Sequence, residues 1–219
     1  MKITQIYNIR THNKNTDKFL KDLSKTLFEH NVLFRMSLDK YVDWSGSKSN
    51  GFFEGCTKNR GILACAFGSK KWLRTLVHES CHFDQWREKS KYWTALTVGR
   101  SDACTLLFNW VENKKIKRSK NVIAKYAEIV RDLELDCERR AIVKIKKYNL
   151  PIDVKRYCKE AGAYVLFYNY IKEYRKWYII GKEPYNNEMI LALMPTNLDY
   201  NFSENSEWLN TLYKRCVTK

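Results

Sequence analysis

Histidine is scarce in this 219-residue chain: there are four, and none follows His82. Any site that needs a third imidazole downstream of that point is excluded. Proline and glycine are also few, three and eight residues. Several of the glycines cluster between Gly46 and Gly68, which predicts long helices and one loop-and-strand region. The seven cysteines contain no C-x-x-C pair and no even spacing, which argues against a zinc ribbon and against a disulfide scaffold. Met1–Gln5 lacks the apolar core of a signal peptide. The longest nearly apolar run, Ala161 to Ile171, is interrupted by Asn169 and is too short to span a bilayer. The expectation is a reduced, cytoplasmic setting without membrane contact.

Acidic residues are the minority charge, 24 against 40 Lys and Arg, for a net charge of +16. Such an excess fits an acidic partner such as nucleic acid. It equally fits a Lys-, Asn-, Ile- and Tyr-rich composition whose charges lie on solvated faces. The densest cluster, Lys114 to Lys120, has no interleaved aromatic residue for base stacking, which favours the second reading. With 44% hydrophobic residues the chain can bury a sizeable core, and the expectation is one domain over residues 1–219.

Apolar residues Phe19, Leu20, Leu23, Leu27 and Phe28 recur at helical spacing over Thr16 to His30, with Asn15 or Thr16 as the cap. Val32–Leu38 and Gly61–Gly68 read as strands, with a third near Phe52 and Phe53. Helical patterns then fill Lys70–Glu88, Ala103–Asn113, Ser119–Asn149, Val154–Trp177 and Ser203–Arg215, and Pro151 stops the longest. The predicted class is α+β. A helix and small sheet (1–69) come first, then helices able to bind metal (70–149), then a helical C-terminal extension (150–219).

The first helix after the sheet carries His78-Glu79-Ser80-Cys81-His82, the pattern H-E-x-x-H. Four residues along a helix turn the side chain by only about 40°, so His78 and His82 point the same way and can share one metal ion. Glu79 lies about 100° from His78, beside the metal, where a general base for an attacking water belongs. Taking His78 as 0°, the residues Trp72, Leu73, Leu76, Val77, Ser80, Phe83 and Asp84 span about 120° to 260°, the expected core face. The histidines lie nearly opposite, which argues against their being core residues. Zinc is the expected metal, and with no later histidine a downstream carboxylate is the expected third ligand.

The longest helical pattern offers that carboxylate. Glu134 stands within a stripe formed by Ala127, Val130, Cys137, Ala141, Ile145 and Tyr148, with Glu138 one turn on. A carboxylate in an apolar stripe costs several kcal/mol unless paired or metal-bound. Pairing with Arg131 or with a Lys of another helix is the alternative use.

These two segments together resemble the gluzincin group of zinc metallopeptidases, which combine an H-E-x-x-H helix with a glutamate on a later helix, often as E-x-x-A-D or E-x-x-x-D. The corresponding stretch is Glu134-Leu135-Asp136-Cys137-Glu138-Arg139-Arg140-Ala141. The resemblance implies a zincin-like fold and a His78, His82, Glu134 zinc site. It also implies Glu79 as general base, Cys137 in the place of a small residue, and Glu138 supporting a ligand histidine. A different register, with Glu138 as ligand and Ala141 following, resembles the ImmA/IrrE-type regulatory peptidases. SprT-like DNA-linked proteases, which carry a third His, fit less well. Small size and composition resemble phage-encoded metallopeptidases. A protein or peptide substrate is implied, laid along Gly61–Phe67 as an edge strand. Tyr164, Tyr168 and Arg175 are the candidates for stabilising an oxyanion.

Overall fold

The computed structural model describes residues 11–44, 46–55, 60–112, 114 and 118–218. Met1–Gln5 and Lys115–Lys117 of the basic cluster lie outside the described residues. The chain is α+β and divides into two compact units. One runs to Ser90 and takes in Arg140–Ile152; the other comprises Lys91–Arg139 and Asp153–Lys219.

The first unit opens with helix α1 (Lys14–Glu29). Asn13 caps it rather than Asn15 or Thr16. The Asn13 side chain accepts from the Thr16 amide at 2.9 Å, and Thr16 itself is buried. The buried stripe is Phe19, Leu20, Leu23 and Leu27. Phe28, expected to join it, lies about 120° away on the wheel and is 69% exposed.

Five short strands follow: β1 (Val32–Ser37), β2 (Val42–Trp44), β3 (Ser47–Ser49), β4 (Gly51–Glu54) and β5 (Gly61–Ala66). The three-stranded sheet has the order β1-β5-β4, parallel between β1 and β5 and antiparallel between β5 and β4. Gly61–Phe67 was expected to supply an edge; instead its strand is central, paired on both sides. Leu63, Ala64, Cys65 and Ala66 are all buried, so the strand is covered on both faces as well. One face packs on the next helix, α2 (Trp72–Arg87): the Cys65 thiol donates to the Trp72 carbonyl, and Phe53 of β4 meets Phe83 and Trp86 edge-on or tilted. On the other face Ala64 and Ala66 cluster with Val42, Phe52 and Ile62.

The same unit contains the end of a 29-residue helix, α5 (Lys120–Tyr148). Lys144 of this helix donates to the Ser80 carbonyl and hydroxyl and pairs with Asp84 at 2.7 Å, while Arg140 pairs with Glu88. Four polar bonds thus tie α2 to α5.

The second unit adds α3 (Lys91–Ala95), the small hairpin β6 (Thr97–Val98) and β7 (Ser101–Asp102), and α4 (Ala103–Val111). It also holds the first two-thirds of α5, then α6 (Val154–Tyr174), α7 (Glu188–Leu193) and α8 (Glu207–Val217). The run Ala161–Ile171 is buried around nearly the whole of α6. It forms the centre of an aromatic core in which Phe167 contacts Tyr170, Trp177, Tyr178 and Tyr213. Asn169, which interrupts the run, holds Arg131 and the Phe202 carbonyl. Among the described residues no helix is long and apolar enough to cross a membrane.

Gly68 closes β5 against the chain leaving β1. A Cβ there would sit 2.2 Å from the Leu38 carbonyl oxygen and 2.8 Å from that of Asp39, both backbone atoms. Gly68→Ala is therefore expected to destabilise the protein by about 1–3 kcal/mol in urea denaturation. An unchanged midpoint would show that this crossing yields without cost.

Candidate metal centre

Helix α2 carries the H-E-x-x-H segment in regular helical geometry. The Nε2 atoms of His78 and His82 are 3.2 Å apart, with the rings nearly perpendicular at 89°. Two zinc–nitrogen bonds of about 2.05 Å meeting at a tetrahedral angle would place their nitrogens about 3.3 Å apart. The pair thus has the spacing that a single tetrahedral ion requires. Both rings are half-buried. His12 and His30 take no part: both are exposed, and His30 binds the Thr26 carbonyl and packs on Phe83.

The burial of α2 is wider than its periodicity predicts. Cys81 and Gln85, at about 300° and 340° on the wheel, are completely buried, while Trp72 and Leu73 are only half-buried. Burial therefore reaches the edge of the histidine side, while His78, Glu79 and His82 themselves stay half-buried. Gln85 is the polar residue that sequence reading missed. Its Oε1 lies 2.8 Å from His82 Nδ1. An amide oxygen only accepts, so this contact is made by the His82 tautomer that carries its proton on Nδ1. The available signal was the spacing, since a residue three positions after a helical ligand lies within reach of that ligand's ring.

Glu79 lies between the histidines and the sheet. A Cβ on Gly51, in edge strand β4, would come within 3.2 Å of Glu79 Cγ and 2.6 Å of Thr75 Cγ2. Glycine at this position allows α2 to approach β4 closely enough for Glu79 to lie along it. Burial pushes the Cys65 thiol well above its usual range, and the Glu79 charge pushes it further the same way. The thiol is thus an inert, protonated core group.

Glu134 and Glu138 belong to the other unit, one turn apart on α5, and both are buried, at 8% and 6% exposure. Glu138 accepts a short hydrogen bond from the Tyr157 hydroxyl of α6. The stripe around them is broader than expected, for Leu133 and Leu135 are buried as well. Arg131, the alternative partner for Glu134, instead pairs with Asp132 at 2.8 Å and donates to Asn169 and the Ser203 carbonyl.

The three oxyanion candidates divide. Arg175 is the left-handed C-terminal cap of α6, with its Nε donating to the Trp110 carbonyl at 2.6 Å and its guanidinium over the Trp110 ring. That is a structural post. The Tyr164 and Tyr168 hydroxyls share a hydrogen bond of 2.9 Å. Burial first, and the Glu134 charge second, push both phenols well above their usual range. The same two causes, in the same order, raise the Cys104 thiol. Tyr164, Tyr168 and Cys104 thus all lie within reach of the Glu134 charge in its own unit.

No protein-family model matches the chain, and neither a curated protein nor a solved structure is similar to it.

The raised phenols give a pH prediction. A folded-state value above the unfolded one, near 10, contributes stability that is fully present below pH 10 and is lost as pH rises beyond it. Near-ultraviolet tyrosinate absorbance and circular dichroism, followed together through an alkaline titration, should show Tyr164 and Tyr168 ionising only as the fold is lost. A Tyr164→Phe/Tyr168→Phe variant should lack that late ionising component. Ionisation of both phenols near pH 10 in a folded protein would contradict this.

Proposed function

We propose that this chain is a zinc-dependent peptidase with a zincin-like fold, acting on a protein or peptide substrate. The observation that carries the reading is the 3.2 Å separation of the His78 and His82 Nε2 atoms on one helix, with a carboxylate residue between them in sequence. A purely structural zinc site gains nothing from Glu79 beside it, whereas hydrolysis needs a base there.

The third protein donor comes from α5. Its last turns are fastened to α2 by Lys144 and Arg140, and the turn just before them bears Glu134, Cys137 and Glu138. Of these, the Cys137 thiolate is a strong donor for zinc and the glutamates are carboxylate donors. We favour Cys137 as the third ligand, with Glu134, the ligand expected from the sequence, as its rival and Glu138 in support.

A zinc ion held there supplies Lewis acidity, acidifying a water and polarising a carbonyl. Glu79 accepts the proton of the attacking water and returns it to the leaving amine. Gly51, having no Cβ, leaves room for the Glu79 stem beside β4. An extended peptide would lie along edge strand β4, which passes beside Glu79. Of the sequence candidates for an oxyanion, Tyr164 and Tyr168 are left, their hydroxyls bonded to each other.

Metal analysis of the purified protein is expected to give about one zinc per chain, lost in His78→Ala/His82→Ala. Full zinc content in that double variant would overturn the metal reading. Glu79→Gln is expected to keep its zinc and fold but to hydrolyse a mixed quenched-fluorescent peptide library about 10²–10⁴-fold more slowly. Wild-type rates in that variant would remove Glu79 as base. Cobalt substitution should give a thiolate charge-transfer band that Cys137→Ser abolishes. If the band is missing in the wild type and Glu134→Ala empties the site, the third ligand is Glu134.

A further inference from the structure

Gln85 has no place in the expected ligand set, yet it is completely buried and its amide oxygen meets a ligand histidine. The contact is built by a single helical turn. Residues three apart on a helix face one another, so Gln85 needs no other element to reach the His82 ring. His78 lies only about 20° from Gln85 on the wheel, and the two imidazole Nε2 atoms converge on the same side.

We infer that Gln85 is a positioning residue that fixes His82 with its proton on Nδ1. The bare Nε2 is thereby aimed at the space it shares with His78 before any metal arrives. The inference rests on the zinc reading for its consequence, tighter metal binding, but not for the tautomer itself. A free imidazole chooses between Nδ1–H and Nε2–H, and only the first leaves Nε2 able to bind metal. Leaving that choice open would cost affinity each time an ion binds. Gln85 also differs from a carboxylate in this role. It accepts the Nδ1 proton without adding negative charge, so the site keeps the net charge its own ligands give it.

Two substitutions separate this role from mere packing. Gln85→Glu keeps an acceptor at the same reach, and Gln85→Leu keeps comparable bulk with none. In metal-free protein, imidazole ¹⁵N chemical shifts should report Nδ1–H at His82 in the wild type and in Gln85→Glu, and a mixed or Nε2–H form in Gln85→Leu. Zinc affinity by chelator competition should fall about 10–100-fold in Gln85→Leu and be restored in Gln85→Glu.

A proton on Nε2 of wild-type His82 would overturn the inference, because Gln85 would then be donating its amide to Nδ1. Equal zinc affinity in the wild type and a folded Gln85→Leu variant would overturn it as well. If no variant, the wild type included, binds zinc, the peptidase reading falls, and the tautomer measurement alone decides for or against Gln85.

Discussion

Two imidazole lone pairs facing each other at 3.2 Å repel, so that distance between His78 and His82 calls for a proton or a cation between them. Everything around the site serves to keep the two rings there. Helix α2 is pressed onto the sheet through Phe53, Phe83 and Trp86, and its start is held by the Cys65 thiol. Its middle is held by Lys144. The contact of Gln85 Oε1 with His82 Nδ1 is made by the tautomer in which a proton between the two rings is carried by His78.

The parts of this arrangement that follow from covalent helix geometry could be read from the sequence. His78 and His82 face one way because four residues make about one turn, and the burial of Glu134 and Glu138 follows from the apolar residues spaced around them. What escaped the sequence depends on partners far along the chain or on polar residues that apolar patterning ignores. Tyr157 reaches Glu138 across 19 positions and two helices. Gln85 was close by but polar, and so fell outside the predicted core face. The strand order was misjudged because pairing on both sides of β5 depends on β1 and β4, and the apolar run Leu63–Ala66 signals only that both faces of the strand are covered. The β2–β3 hairpin, α3 and α7 are too short to establish a period at all.

The large positive charge looks different once individual arginines are placed. Arg131 donates to the Ser203 carbonyl, Arg139 to the Leu198 carbonyl and Arg175 to the Trp110 carbonyl. Each guanidinium satisfies backbone oxygen at an irregular segment or a helix end, where no intrahelical donor exists. Arg156 joins Glu160 and Glu188, bracing α6 against the start of α7. Part of the +16 is therefore architectural rather than available to an acidic partner.

The cysteines have a practical consequence. None of the six described ones forms a disulfide, and five of them, Cys65, Cys81, Cys137, Cys158 and Cys216, are buried and distributed over both units. In metal-free protein, a thiol shielded from water reacts with an alkylating reagent only when its surroundings open. The modification rate of each cysteine thus reads out the frequency of that local opening. The chain carries its own set of exchange reporters, with one of them, Cys81, inside the H-E-x-x-H segment itself.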